Sequence, residues 1–155
     1  EKQIDGETYY IHRKGACCAG GCEEMEGTDF AYYGEPVMIP GSMGSSSYLL
    51  RGLGNQDSLW SASHGAGRDK SRGEAIKGND EAFHQFMEKF HIITPIDPTR
   101  ADLKGRADIL KKWEDSIRAE APYAYKDIDK VIAVHKMHNM AALVARMEPI
   151  FTVKA

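Results

Sequence analysis

Two segments rich in glycine and serine interrupt the first half of this chain and limit what it can fold into. The first is Pro40-Gly41-Ser42-Met43-Gly44-Ser45-Ser46-Ser47-Tyr48, and the second is His64-Gly65-Ala66-Gly67-Arg68. Glycine and proline punctuate regular structure, so the chain around these segments is cut into short pieces. The pieces read as strands. Residues 36–40 are a short apolar run that ends in the first loop, residues 48–53 follow it, and residues 58–63 lead into the second loop. Residues 8–12 are β-branched and aromatic and read as a further strand. Two strands thus deliver two loops toward one end of a sheet, which is how residues distant in sequence converge on one ligand.

Helical spacing dominates the second half. Asn79 or Asp80 caps a helix whose apolar positions are Phe83, Phe86, Met87 and Phe90. Residues 107–119 place Ile109, Leu110, Trp113 and Ile117 on one face. Asp127 or Asp129 opens a third helix with Ile128, Val131 and Ile132 inward. The chain closes on residues 142–146 and 150–153, which read as a final strand or strand pair. The fold class expected is α+β, a mixed sheet with flanking helices.

Composition narrows the function classes. With 155 residues, 42% hydrophobic and 28% charged, the chain fits one domain with its own core. A net charge of −3 supplies no global basic field, so a nucleic-acid role needs a local patch. Arg13, Lys14 and Arg68, with Arg51 and Arg72, are the candidates for that patch. No apolar run approaches the roughly 18 residues of a membrane helix, and no secretory segment opens the chain. A cytoplasmic protein with no membrane partner is expected. Cys17, Cys18 and Cys22 are odd in number, which argues against a disulfide framework. Three thiols near His12 could hold zinc, although a vicinal pair fits the usual C-x2-C spacing badly.

The two loops carry the chemistry. A Gly/Ser loop offers backbone N–H groups and hydroxyls to phosphate oxygens. A neutral imidazole beside such a cradle is a nucleophile toward phosphorus, and histidine's ordinary pKa of about 6.5 leaves it neutral at pH 7. Gly65 and Gly67 let the backbone approach closely, and Arg68 can offer a planar fork to phosphate. Small residues beside a histidine also make a plain tight turn, and that reading stays open at this point. His135 and His138 lie three apart on a helix. The pair could share a metal, but His135 continues the stripe of Ile128, Val131 and Ile132 and reads as a boundary residue with a hydrogen-bonded ring nitrogen more than a ligand. His84 and His91 read as helix surface or boundary residues.

Taken in order, five segments resemble one family. They are His12-Arg13-Lys14-Gly15-Ala16, the loop at 40–48, Ser63-His64-Gly65-Ala66-Gly67-Arg68, Glu120-Ala121-Pro122-Tyr123-Ala124-Tyr125-Lys126-Asp127 and the terminal Val153-Lys154-Ala155. They look like the C-terminal part of the RtcB family of RNA-splicing ligases. The resemblance implies an RtcB-like catalytic fold of which residues 1–155 are the C-terminal portion of a single domain, with the upstream portion absent. It implies an enzyme that joins an RNA 3′-phosphate or 2′,3′-cyclic phosphate to a 5′-hydroxyl, as in tRNA splicing or RNA repair, using GTP and manganese through a covalent histidine–GMP adduct.

Carried onto this sequence, the resemblance makes His64 the residue that bears GMP. It lines the guanylate with Pro40, Gly41, Ser42, Met43, Ser47, Gly65, Ala66, Gly67 and Lys154. The metal ligands of the family lie upstream, so none is assigned here, and activity is expected to need the upstream half. The partners implied are RNA, as tRNA halves or broken strands, and that missing portion of the fold. Cys17-Cys18 stand where the family usually has threonine and arginine. Two other readings remain: a guanine-nucleotide or RNA-binding module without catalysis, and a small zinc-binding interaction domain built on the cysteine loop.

Overall fold

The computed structural model describes residues 1–78 and 80–154. Asn79, one of the two expected helix caps, and Ala155, the last residue, lie outside the described residues. In chain order the strands are β1 (Lys2–Ile4), β2 (Glu7–Tyr9), β3 (Ala16–Cys18), β4 (Pro36–Ile39), β5 (Ser47–Gly52), β6 (Ser61–Ser63), β7 (His91–Ile93), β8 (Ala141–Met147) and β9 (Phe151–Val153). The helices are α1 (Arg72–Lys77), α2 (Asp80–Lys89), α3 (Ala107–Arg118) and α4 (Ile128–Met137). No described helix is long and apolar enough to cross a membrane.

The α+β class holds, but the single mixed sheet does not. The strands are shared among four small sheets: β1–β2, β3–β6, β4–β5–β8 and β7–β9. Most strands run only three or four residues before a glycine-rich turn, too short to build one wide sheet. The two loop-delivering strands therefore sit in different sheets, β4 beside β5 and β6 beside β3. The expected strand over 8–12 is displaced to β2. It pairs with β1 in a hairpin whose two turn residues, Asp5 and Gly6, have φ of 51° and 82°. Positive φ at both positions is the two-residue hairpin geometry that Asp-Gly favours.

The chain forms two compact units. One comprises Glu1–Pro40, Tyr48–Gly65 and Asp129–Arg146; the other comprises Gly41–Ser47, Ala66–Ile128 and Met147–Ala155. In the first, β4 and β5 alternate, with Val37 and Ile39 of one strand directly opposite Leu50 and Tyr48 of the other. All four are buried, and burying each such side chain contributes about 1.5–3 kcal/mol. Helix α4 adds Ile132 and His135 to this core.

Backbone approaches in this unit leave no room for side chains. A Cβ on Gly52 would lie 2.3 Å from the Ala19 carbonyl carbon and 2.4 Å from Gly20 O. Hydrogen bonds lace the same segments: Ala19 N–H to Trp60 O, Glu35 N–H to Gly20 O, Gly52 N–H to Glu35 O, and Gly54 N–H to Ala19 O.

In the second unit, α1 opens on a complete capping box. The Ser71 hydroxyl accepts the Glu74 N–H, and the Glu74 carboxylate accepts the Ser71 N–H, satisfying two otherwise orphaned donors. Helix α3 buries Ile117 and Arg118. The Arg118 guanidinium bonds Glu114 and Asp80 and lies 4.1 Å from the centre of the Phe83 ring. Trp113 donates its indole N–H to Thr94. Strand β9 runs parallel to β7, Phe151 opposite His91 and Val153 opposite Ile93.

Arg68 anchors the chain ahead of α1. Its guanidinium donates to Glu120 Oε2 at 3.1 Å, to the Tyr125 hydroxyl at 3.1 Å, to Ala119 O at 2.6 Å and to Lys70 O at 3.0 Å. Tyr125 also donates to Glu120, and Arg72 bonds its other oxygen. Burial alone would raise the Glu120 carboxyl; the hydrogen bonds from Tyr125 and Arg72 and the charges of Arg68 and Arg72 outweigh it and hold the group below the usual range.

A depressed carboxylate stabilises the fold above its unfolded value, about 4.3 for glutamate, and that contribution vanishes as pH falls through the lower folded value. Replacing Glu120 with Gln should cost about 1–3 kcal/mol at pH 7. The gap in thermal midpoint between wild type and Glu120→Gln should close as pH falls from about 5 to 3. A gap that does not change with pH would refute the charged role of Glu120.

Candidate active site

His64 follows directly on β6, whose residues Ser61–Ser63 pair with β3 in the register Ala16 to Ser63 and Cys18 to Ser61. Its backbone N–H donates to Gly15 O at 3.2 Å, while its side chain is exposed. The main chain is thus tied down and the imidazole is free to meet a ligand. Gly65 packs on the other predicted segment: a Cβ there would sit 3.5 Å from Pro40 O and 3.8 Å from Pro40 Cγ. The structure therefore brings Pro40, His64 and Gly65 of the first unit together.

The turn before β6 is held by Arg13. Leu59 and Trp60 have φ of 53° and 49°, a conformation costly for bulky residues. The Arg13 guanidinium donates to Leu59 O at 3.0 Å, Trp60 O at 3.3 Å and Ser61 Oγ at 2.8 Å. These bonds bind the two carbonyls of the strained turn to one rigid fork. Lys14 is exposed. Arg51 donates to Tyr33 O. The expected basic patch is therefore uneven: Arg13 and Arg68 are committed to the fold, and Lys14 is the exposed cation of its segment.

Within the second unit, the loop Gly41–Ser47 is closed by its own groups. Gly41 N–H donates to Ser47 Oγ at 3.2 Å, the Ser42 and Ser45 hydroxyls lie 3.0 Å apart, and Ser45 N–H donates to Ser42 O. A Cβ on Gly41 would lie 2.2 Å from Ser46 O, so only glycine allows this closure. Ser46 is buried and donates to Glu148. Gly44, at φ 73°, rests on the Phe86 ring, itself stacked with Phe90 at 5.8 Å between centres. Met43 is half-buried.

Ala66 is buried, and Gly67, at φ 73°, accepts the Lys126 N–H. Lys154 is fixed through its backbone, which donates to Ile93 O at 2.9 Å. Arg68 was expected as a phosphate fork. Its four internal hydrogen bonds make it instead the anchor between the loop and residues 119–125.

Cys17 and Cys18 are successive residues of β3, and successive strand side chains point to opposite faces. Side by side on this strand, the two thiols do not face one ion together. Burial, with the neighbouring Cys18 and Glu35 charges, raises the Cys17 thiol above its usual value. Among the described residues no group of three or more His, Cys, Asp or Glu side chains is placed to hold a metal ion.

His135 gained no site role from the sequence, although its ring was expected to be hydrogen-bonded. It is 1% exposed, and its Nε2 accepts the Ser63 N–H at 2.8 Å, one residue before His64. The stripe of apolar residues around it signalled burial. Nothing in that stripe signalled Ser63, 72 positions away.

The sequence model for the family described as tRNA-splicing ligase RtcB matches residues 1–155. Among curated relatives, the RNA-splicing ligase RtcB of Mycobacterium tuberculosis is 35% identical over 155 residues, covering 97% of this chain and 32% of that protein. The tRNA-splicing ligase RtcB of Aeropyrum pernix is 36% identical over 159 residues, covering 99% of this chain and 30% of that protein. The enzyme of the same name from Pyrococcus horikoshii is 35% identical, with 99% and 17% covered. The chain spans about a third or less of the length of these relatives. Over its whole length it belongs to the tRNA-splicing ligase RtcB family.

Proposed function

We propose that this chain supplies the nucleotide-carrying part of a GTP-dependent RNA ligase, with His64 as the residue that takes up GMP. The observation that carries the reading is an exposed imidazole on a main chain fixed at Ser63 and His64, within a chain whose full length matches the ligase family. A nucleophile must be held while it reacts, and a rigid backbone with a free side chain meets that need.

In the proposed reaction a ring nitrogen of His64 attacks the α-phosphorus of GTP. The nitrogen–phosphorus bond forms, the bond to pyrophosphate breaks, and pyrophosphate leaves with its electron pair. The GMP then passes to an RNA 3′-phosphate, and a 5′-hydroxyl displaces GMP to close the new phosphodiester. Charge on the transferring phosphoryl group calls for N–H donors and cations. Gly41, Ser42, Met43 and Ser47 with Pro40, and Gly65, Ala66 and Gly67, are the proposed lining of the guanylate, and Lys154 its cation. Manganese would polarise the phosphates; its ligands are not supplied by this chain's described residues, and no step above is assigned to it. RNA is the proposed partner, with Lys14 as the exposed cation toward its backbone. The internal bonds of Arg13 and Arg68 give them positioning roles.

Two outcomes test the reading. Incubation of the intact protein with labelled GTP and manganese should attach GMP to His64 through a bond that is acid-labile and alkali-stable. His64→Ala should lower ligation on the order of 10^6-fold, as removal of other covalent nucleophiles does; label retained in that variant would overturn the assignment. Deleting Lys154 and Ala155 should raise the GTP concentration needed for half-maximal labelling by about tenfold or more, the worth of one charge-assisted contact, with little change in thermal midpoint. Unchanged labelling kinetics would remove Lys154 from the site.

A further inference from the structure

We infer that His135 is a positioning residue for His64, acting through the backbone of Ser63; the inference rests on His64 being the nucleophile. Sheet β3–β6 has only two strands, so one side of β6 has no neighbouring strand to accept its N–H groups. At Ser63 the missing acceptor is an imidazole. His135 Nε2 accepts the Ser63 N–H at 2.8 Å, and Nδ1 lies 2.7 Å from Val131 O, one turn back in α4. A carbonyl oxygen can only accept, so Nδ1 carries the proton and the Nε2 lone pair faces Ser63. Both nitrogens are engaged with backbone, the tautomer is fixed, and the ring is 1% exposed.

On the opposite side of the same strand, Ser63 pairs with Ala16 and the His64 N–H donates to Gly15 O. The two residues that set the position of the His64 Cα are therefore held from both sides: by β3 through Gly15, and by α4 through His135. The helix end is itself fixed, since Met140 N–H donates to His135 O and Leu53 N–H to Met140 O. An imidazole is suited to this job because its ring nitrogens lie at a fixed separation. It transmits the position of α4 to β6 with two torsions of freedom. A shift near 1 Å at a reacting group can lower its rate about 100-fold, so losing this contact should appear in the chemical step and leave nucleotide affinity intact.

The test uses the intact protein with His135→Leu, His135→Asn and His135→Gln. Leucine removes both hydrogen bonds. Asparagine can still donate to Val131 O but is too short to reach Ser63. Glutamine carries an acceptor oxygen to about the reach of Nε2. Two readouts are taken: hydrogen exchange of the Ser63 amide, and the single-turnover rate of GMP transfer to His64 at saturating GTP beside the GTP dissociation constant. We expect Leu and Asn to speed Ser63 exchange at least tenfold and slow transfer at least tenfold, with the dissociation constant within threefold of wild type. Glutamine should restore both rates to within about threefold.

Should the leucine protein not fold, the Asn and Gln pair decides alone. Asparagine transferring as fast as glutamine overturns the inference, as does a Ser63 amide that stays protected in the asparagine variant. Wild-type protein that takes up no label at His64 would instead overturn the nucleophile assignment, a result distinct from a defect confined to the His135 variants.

Discussion

The first unit depends on a place where main chains meet without side chains between them. Gly52 lies so close to Ala19 and Gly20 that a Cβ would be 2.3–2.4 Å from their backbone atoms. Gly34, at φ 84°, comes equally close to Gly52 O. Through this contact the chain after β3 is hydrogen-bonded to the chain before β6, to Glu35 ahead of β4, and to Gly54 past the end of β5. The three small sheets of this unit cannot share one ladder, so their mutual placement has to come from such contacts. Here it joins the strand that ends at Ile39 to the strand that ends at Ser63. The packing of Gly65 on Pro40 follows from it. Any side chain at Gly52 would force these backbones apart, and the interior, packed like a crystal, has no slack to absorb the change.

A fixed main chain with an exposed side chain is the pattern that then recurs around His64. The strained turn at Leu59 and Trp60 is clamped by Arg13, the outer side of β6 is capped by His135, and the inner side is paired with β3. Strain of this kind persists only where the surroundings over-determine it. Two polar side chains that could have served as ligands, Arg13 and His135, are consumed in holding backbone. Their hydrogen bonds to backbone, and the burial of His135, separate them from the exposed His64.

How much of this was legible in the sequence depended on the range of the forces involved. Helices α2, α3 and α4 and strands β4, β5 and β8 were readable because alternation or helical spacing is a local signal; Val37, Ile39, Tyr48 and Leu50 are buried as their alternation requires. Strand β7 was missed because three residues, His91–Ile93, carry no period of their own and are ordered by parallel pairing with β9, some 60 positions on. The β1–β2 hairpin was readable in principle, since Asp5-Gly6 is a strong turn signal, but the aromatic run at 8–12 drew the strand too far along the chain. At the site, the two loops were legible from their glycine and serine content, while Lys154 entered only through the resemblance. The partners of Arg68 were not legible, because Ala119, Glu120 and Tyr125 lie more than 50 residues away. A free arginine and a half-buried ion-pair anchor look alike in sequence.

The Gly41–Ser47 loop shows how a glycine- and serine-rich segment can be given a fixed shape by its own groups. Its hydroxyls and N–H groups bond one another: Gly41 to Ser47, Ser42 to Ser45. Gly44 seats the loop on the Phe86–Phe90 stack, and Ser46 ties its buried side to Glu148. A loop held by glycines alone would have to be ordered by the nucleotide, and each residue so ordered would cost about 1–2 kcal/mol of binding. With the loop already closed, that cost is met during folding. Serine serves this better than a longer polar residue. Its hydroxyl can accept one bond from the loop and still donate another outward. Ser47 Oγ, an acceptor for Gly41 N–H, retains its proton for that second partner.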